Sequence, residues 1–412
     1  MINFEKRTLA NGLTVISHYD SSTPMVTVNT LYQVGSRNEQ PDKTGFAHLF
    51  EHLMFGGSKN APNYDAHVQM AGGESNAFTT ADLTNYYVVL PSQNIETALW
   101  LESDRMLNPL LNEETLKTQK SVVVEEFNQR YLNQPYGDVQ LLLKPLAYKV
   151  HPYSWSTIGK TPDHITNATL GEVKSFFEKF YTPNNAILVI AGNIRSAEAF
   201  RLAEKWFTEI PTSKQGKGEI PQEPQQGEAR RLSVSRKVPS SAIYKAYHMP
   251  SRLEKGYHAC DLITDILSNG KSSRLYRKLV QENSLFSNVN AYMSGDVDRG
   301  IIIVSGHLLP KTTMQQAEAA IDAELQLICN ERVSEYELEK VKNKMESLHV
   351  FAETAVMQKA LALATAEMLG DINLVNTDIE NYRKVNVTEI KQVASDIFTS
   401  NNCSTLYYNA IV

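Results

Sequence analysis

The stretch YTPNNA, residues Tyr181–Ala186, is followed by an apolar run and has a second copy near the carboxyl end of the chain. The copy reads FTSNNC, Phe398–Cys403, and also precedes residues typical of a strand. A related triplet lies upstream of each copy, Glu172–Lys174 in the first half and Glu389–Lys391 in the second. The two triplets are as far apart in the sequence as the two copies are. Repetition at a fixed distance indicates duplicated structural units. The pattern therefore predicts two related domains.

A further echo and a compositional break define the boundaries of these domains. Tyr32 precedes a Ser-Arg pair, and Tyr247 precedes another such pair by the same distance. Between the halves, residues 216–228 are rich in Gly, Pro and Gln and lack periodic apolar positions, which is typical of a linker. We predict domains over residues 1–215 and 229–412, joined by the linker 216–228.

Short apolar runs such as LTVI at Leu13–Ile16 and ILVI at Ile187–Ile190 predict strands, and other stretches have the spacing of helices. The two kinds of segment are intermixed without regular strand-helix alternation. This organisation favours an α+β fold over a doubly wound sheet. We expect two homologous domains, each a mostly antiparallel sheet packed with helices.

The composition limits the classes of function. Hydrophobic residues make up 42% and charged residues 21% of the chain, as in ordinary globular proteins. The net charge is -6 and no long basic run is present, so nucleic acid is not an expected partner. The amino terminus has no signal-peptide pattern and no stretch is apolar enough for a membrane span, which predicts a cytoplasmic chain. A chain whose leader has been removed would have the same features.

The segment GFAHLFEHLMFGG, Gly45–Gly57, contains the residues best suited to chemistry. On a helix, His48, Glu51 and His52 share one face. Two imidazoles one turn apart can each reach a zinc ion at about 2.0 to 2.1 Å. Zinc lowers the pKa of bound water toward about 7, and a neighbouring carboxylate can accept the proton. The spacing predicts two metal ligands and a catalytic Glu51; the alternative is a helix with two polar surface histidines.

This triplet, in the inverted order His-x-x-Glu-His, resembles that of pitrilysin, insulinase and the mitochondrial processing peptidases. The resemblance extends over nearly the whole chain and implies domains of the LuxS/metallohydrolase type with one Zn2+ per chain. It also implies a third ligand, a glutamate on a later helix. The segment KSVVVEEF, Lys120–Phe127, matches that helix, and the family register favours Glu126 over the alternative Glu125. Adjacent helical residues point about 100° apart, so only one of the two can face the metal.

The family usually carries another glutamate one or two turns before the ligand, where it supports the site. The matching residue here is Gln119, whose amide can form a hydrogen bond but adds no charge. Changes of such supporting residues commonly cost about 10- to 100-fold in affinity or activity. This departure predicts weaker zinc retention.

The resemblance also assigns a substrate-binding strand. In the family, the segment that matches Asn76, Ala77 and Phe78 is an edge strand beside the zinc. An extended peptide can add to such an edge through main-chain hydrogen bonds. These three residues are therefore candidates for binding substrate, and the alternative is a solvent-facing hairpin.

The second half lacks a copy of the zinc triplet. In the family, this half contributes an arginine and a tyrosine that contact the substrate carbonyl, and the aligned positions here are Val280 and Ser287. The resemblance thus implies a homodimer, or a heterodimer with a related subunit that supplies the Arg/Tyr pair. The predicted function is a zinc endopeptidase subunit that cleaves unfolded peptides in a chamber between two domains. The alternatives are a noncatalytic scaffold and a zinc site that only stabilises the fold.

Overall fold

A computed structural model describes residues 1–216, 218–295 and 297–411 of the chain. Its strands are β1 (Glu5–Thr8), β2 (Thr14–Tyr19), β3 (Met25–Tyr32), β4 (Glu74–Thr79), β5 (Thr84–Pro91), β6 (Ala186–Gly192), β7 (Arg230–Arg236), β8 (Ala242–His248), β9 (Phe286–Ser294), β10 (Ile301–Leu308) and β11 (Cys403–Ala410). Its α-helices are α1 (Phe46–Leu53), α2 (Tyr64–Met70), α3 (Ile95–Leu107), α4 (Glu113–Phe127), α5 (Val139–Ala147), α6 (Pro162–Thr166), α7 (Leu170–Phe180), α8 (Ser196–Phe207), α9 (Tyr257–Ser268), α10 (Met314–Asn330), α11 (Glu335–Ala352), α12 (Val356–Met368), α13 (Leu374–Lys384) and α14 (Val387–Ile397).

The described residues form two compact units, each of which contains segments from both halves of the sequence. Unit 1 consists of Met1–Gln129, Trp155–Ile220 and Val350–Thr377. Unit 2 consists of Arg130–Ser154, Pro221–His349 and the chain from Asp378 onward. The change from Ile220 to Pro221 falls within the predicted linker 216–228.

Each unit contains one sheet, and apart from the additional strand β1 the two sheets have the same strand order. The order is β1-β2-β6-β3-β5-β4 in unit 1 and β7-β11-β8-β10-β9 in unit 2. In each sheet one pair is parallel, β2 with β6 and β7 with β11, and the other pairs are antiparallel. The number of residues from the start of β3 to the start of β8 equals the number from the start of β6 to the start of β11. This correspondence confirms the predicted α+β fold with two homologous domains.

Two equivalent helices are exchanged between the halves of the sequence. The starts of α5 and α12 are separated in the sequence by the same number of residues as the starts of equivalent strands. The two helices are therefore equivalent members of the repeat. Helix α12 nevertheless belongs to unit 1, where Leu363 lies in one apolar cluster with Leu31, Ile187 and Val189. Helix α5 packs against β7, β8 and β11 in unit 2. The continuous ranges 1–215 and 229–412 therefore differ from the units, because each helix buries its apolar face on the sheet built from the other half.

An ion pair accompanies the packing of α12 in unit 1. The Lys359 ammonium lies 2.7 Å from a carboxylate oxygen of Asp20, which directly follows β2. A hydrogen bond from Lys359 is the main reason why the pKa of Asp20 is held far below its ordinary value. Among the described residues, we find no helix with the length and apolar character needed to span a membrane.

Candidate metal centre

Helix α1 begins at a glycine that cannot cap it with a side chain. Gly45 has φ 92°, and a Cβ at this position would lie 2.6 Å from the carbonyl oxygen of Ile158. The carboxylate of Glu39 takes the place of a cap, accepting hydrogen bonds from the backbone N–H groups of Gly45 (2.9 Å) and Ala47 (2.8 Å). The indole N–H of Trp155 donates to the same carboxylate at 3.2 Å. Glu39 thus fixes the turn of α1 that leads into His48.

Glu39 was not among the residues predicted from the sequence. Desolvation by burial raises the pKa of its carboxyl group, whereas the hydrogen bonds from Ala47 and Gly45 lower it and favour the carboxylate. A helix that starts directly after a glycine has no side-chain cap of its own, but the sequence does not show which distant residue supplies one.

The packing face of α1 fixes how the helix sits in unit 1. Leu49, Phe50 and Leu53 are buried. The ring of Phe50 stacks on that of Tyr181 with centroids 4.8 Å apart, and the hydroxyl of Tyr86 donates to the Phe50 carbonyl at 3.1 Å. His48, Glu51 and His52 occupy other positions of the same short helix. These core contacts therefore set the orientation of the helix.

Three side chains converge beside this helix. Nε2 of His48 lies 3.6 Å, and Nε2 of His52 lies 3.4 Å, from Oε2 of Glu126. Ligand atoms of all three residues lie within 4.8 Å of one another. A tetrahedral zinc ion with bonds of about 2.0 to 2.1 Å holds its ligand atoms about 3.3 to 3.4 Å apart. The two distances to Glu126 are therefore closer to those between ligands of one zinc ion than to the length of a direct hydrogen bond.

The packing of helix α4 gives the two candidate glutamates different surroundings. Asn112 caps the start of α4 by accepting hydrogen bonds from two backbone N–H groups. Val123 and Phe127 are buried, which turns Glu126 toward the histidines. Glu125 is exposed and accepts a hydrogen bond from Gln129. The structure thus brings Glu126, and not its neighbour, to His48 and His52.

The predicted supporting residue Gln119 lies on α4 and is half buried. It precedes Glu126 by seven residues, which is about two helical turns and places both on one face. Its position is therefore consistent with support of the ligand helix. The effect of its missing charge on zinc retention stays a prediction.

Glu51 has a hydrogen-bond partner that sequence reasoning did not identify. The hydroxyl of Thr79, the last residue of β4, donates to Oε2 of Glu51 at 2.7 Å. Both side chains are half buried. No sequence pattern marks a single hydroxyl in a strand as the partner of a residue on a distant helix. The contact becomes visible only when β4 packs against α1.

The three residues proposed to bind substrate lie on β4, at the edge of the six-stranded sheet. Asn76 is exposed, and its side-chain oxygen accepts a hydrogen bond from the backbone N–H of Ala77 at 2.8 Å. The Phe78 side chain packs against the apolar core of unit 1. Asn76 and Ala77 are therefore accessible, whereas Phe78 has a packing role for its side chain.

In unit 2, helix α9 starts in the same way as α1, after Gly256 with φ 96°. It lacks the histidine pair, and its His258 forms a contact of 2.7 Å with Asp378. Val280 packs against the apolar core of unit 2. The hydroxyl of Ser287 donates to the carbonyl of His307 at 3.3 Å. Neither Val280 nor Ser287 offers the long cationic or phenolic donor that the resemblance places there.

His48, His52 and Glu126 converge on one point and could hold a metal ion, and Glu51 lies on the helix that carries the two histidines. Metallopeptidases use such a combination of ligands and a nearby carboxylate. Residues 14–160 match the sequence model of "Insulinase (Peptidase family M16)". Residues 167–345 match that of "Peptidase M16 inactive domain". The chain belongs to peptidase family M16, which confirms the predicted family.

Individual relatives match nearly the whole chain. The zinc protease PqqE of Helicobacter pylori is 30% identical over 98% of this chain and 92% of its own length. The crystal structure of a protease from Helicobacter pylori has a TM-score of 0.94 and 29% identity, and the match covers 99% of this chain and 100% of that one. The periplasmic protease PqqL of Escherichia coli shares the fold at a TM-score of 0.80 and 18% identity, and the match covers 99% of this chain but 48% of PqqL.

Proposed function

We propose that this chain is a zinc-dependent endopeptidase subunit in which His48, His52 and Glu126 bind one Zn2+. The observation that carries the proposal is the convergence of the three side chains at separations of 3.4 and 3.6 Å, beside Glu51 on the same helix. The name zinc protease, borne by the relative in Helicobacter pylori, supports zinc as the metal. Three protein ligands leave a coordination position for water, as in catalytic rather than structural zinc sites.

When bound, zinc would supply Lewis acidity to a water molecule and to the carbonyl of the scissile peptide bond. The residues of the chain perform the remaining steps. Glu51 accepts a proton from the attacking water at a carboxylate oxygen and returns it to the leaving amine. The Thr79 hydroxyl holds Oε2 of Glu51, which leaves Oε1 as the atom that receives the proton.

The peptide would bind along β4 in an extended conformation. Edge strands present unpaired backbone groups, and an added strand satisfies them with little dependence on side chains. The contact between the Ala77 N–H and the Asn76 side chain is exposed, so a carbonyl of the peptide can replace it. Substrates are therefore unfolded peptides or mobile protein segments. The enclosure of the peptide by both domains stays a prediction of the sequence.

Full activity would require a partner chain. Val280 and Ser287 offer no equivalent of the Arg/Tyr pair, and loss of such donors to the developing oxyanion costs about 100- to 1,000-fold in turnover. The chain spans about half of PqqL, a protein with a second region of comparable length. This architecture supports pairing with a second copy or with a related subunit that supplies the donors.

A noncatalytic scaffold is the second candidate function. It is favoured by the match of residues 167–345 to a domain described as inactive. The matched region lies outside the segment that contains His48, Glu51, His52 and Glu126. A scaffold has no use for all four residues in this arrangement, so we favour the peptidase.

The test is a chelator-sensitive digestion of an unstructured peptide by the chain together with any subunit that copurifies with it. We expect hydrolysis by the native protein and less than about 0.1% of that rate for Glu51→Gln, because the base is lost. Zinc content of the variant should remain at one ion per chain. Equal rates for the native protein and Glu51→Gln would contradict the proposal, as would a native chain that binds no zinc.

A further inference from the structure

The contact between Thr79 and Glu51 joins the two elements to which the proposed function assigns different tasks. Glu51 lies on α1, which carries the metal ligands, and Thr79 ends β4, which is proposed to bind the peptide. The hydrogen bond between them measures 2.7 Å. A general base must point one carboxylate oxygen at the reacting proton, and a donor on the other oxygen restricts rotation of the carboxylate.

The backbone around Thr79 is fixed on both sides. Thr79 pairs with Thr84 on β5. In the following turn, the N–H of Thr80 donates to the carbonyl of Leu83 at 2.8 Å. The N–H of Ser36 donates to the carbonyl of Thr80 at 3.3 Å, which ties the turn to a separate segment of unit 1. The hydroxyl of Thr79 is therefore presented from a rigid support.

A glycine makes this attachment possible. A Cβ on Gly35 would lie 2.5 Å from the backbone of Ala81, so any larger residue would push the turn away. The N–H of Arg37 also donates to the carbonyl of Ala81, at 2.9 Å. Threonine is stiff about its first side-chain torsion, so a fixed backbone also fixes the direction of its hydroxyl.

We infer that Thr79 is a positioning residue that orients the carboxylate of Glu51 for proton transfer and keeps the base in register with the peptide on β4. The inference rests on the proposed function, because it gives Thr79 a role only if Glu51 acts as the base. The hydroxyl of Thr79 bonds to Glu51 and not to one of the three proposed ligands. Its loss should therefore slow turnover without changing zinc affinity.

The experiment compares Thr79→Val, which keeps the shape but removes the donor, with Thr79→Ser, which keeps the donor. Thr84→Val is the matched control, because it removes a hydroxyl from the cross-strand position, where Thr84 donates to the Val34 carbonyl instead. We expect kcat of Thr79→Val to fall about 10- to 100-fold, the range for supporting residues, with little change in KM. Thr79→Ser should recover most of this loss, and Thr84→Val should retain the native kcat.

Two readouts other than activity accompany the kinetics. Zinc affinity, measured by chelator competition, should be the same in all four proteins, and a crystal structure of zinc-loaded Thr79→Val should show the Glu51 carboxylate displaced or in several conformers. If Thr79→Val does not fold, Thr79→Ala removes the same donor. Native kcat in a folded Thr79→Val or Thr79→Ala, with Glu51→Gln inactive, would overturn the inference alone. An active Glu51→Gln would overturn the proposed function itself.

Discussion

Nε2 of His52 lies 3.4 Å from Oε2 of Glu126, a residue on a separate helix much further along the chain. The distance is too long for a strong hydrogen bond and suits two ligands of one ion. Helices α1 and α4 pack together in unit 1, and this packing brings the two atoms to their positions. The proposed metal site thus depends on a tertiary contact as well as on a local motif.

The adjacent glutamates of α4 provide a matched pair of variants. Glu126→Gln should lower zinc affinity by at least about 100-fold, because loss of a ligand costs more than the 10- to 100-fold typical of supporting residues. Glu125→Gln should leave it unchanged, since Glu125 is exposed. Competition with a fluorescent chelator measures both constants. Equal zinc affinity of the two variants would show that Glu126 is not a ligand.

Loss of the Glu39 carboxylate should destabilise unit 1. Glu39→Leu leaves the N–H groups of Gly45 and Ala47 without their acceptor, and each buried unpaired donor costs about 1 to 3 kcal/mol. We expect the free energy of unfolding, measured in urea, to fall by at least about 2 kcal/mol. Glu39→Gln, which keeps one acceptor oxygen, should lose less. A Glu39→Leu protein as stable as the native one would contradict the capping role.

The ion pair between Arg274 and Glu337 in unit 2 should make the free energy of unfolding depend on pH in the acidic range. Two hydrogen bonds of 2.9 Å from Arg274 are the main cause that lowers the pKa of Glu337 from 4.5 to about 2. A carboxyl with a lowered pKa stabilises the fold above its unfolded value, and this contribution is lost as pH falls from 4.5 through about 2. For a partly exposed pair we expect roughly 1 kcal/mol.

The check is the free energy of unfolding of the native protein and of Arg274→Met, measured between pH 7 and pH 3. The difference between the two proteins should be largest near neutral pH and should shrink in acid. A difference that stays constant over this range would show that Glu337 does not titrate as described.

The exchanged helix α12 predicts that the first half of the sequence is not an independent domain. A fragment of residues 1–215 lacks α12 and would expose apolar residues of the sheet, so it should aggregate or unfold without cooperativity. In the whole chain, Leu363→Ala should cost about 2 to 5 kcal/mol, because Leu363 is buried in this contact. The control Leu348→Ala, at an exposed position, should change stability by less than about 0.5 kcal/mol. A soluble fragment with a cooperative transition would contradict the exchange.

Much of the fold could be predicted from the repeat alone. The segments Tyr181–Ala186 and Phe398–Cys403 lead into equivalent strands of the two sheets, so duplication of the fold was visible in the sequence. The exchange of α5 and α12 was not, since an apolar helical face does not reveal which sheet it covers. Only the three-dimensional packing shows which of the two sheets each helix covers.

The candidate site, like the fold, could be predicted from the sequence only in part. The local spacing of His48, Glu51 and His52 on one helix follows from helical geometry and needed no further information. Glu126 was selected by family resemblance, because nothing in the physics of α4 alone points to a partner so far away in the sequence. Glu39 and Thr79 act through contacts between separate elements, and their residue types are too common to attract attention in a sequence.

We propose that two imidazoles and one carboxylate hold a single zinc ion. Anomalous diffraction at the zinc absorption edge, measured on crystals of the zinc-loaded protein, locates the ion independently of activity. We expect one strong peak about 2.0 to 2.2 Å from Nε2 of His48, Nε2 of His52 and an oxygen of Glu126. A peak elsewhere, or no peak here with zinc in excess, would contradict the proposal.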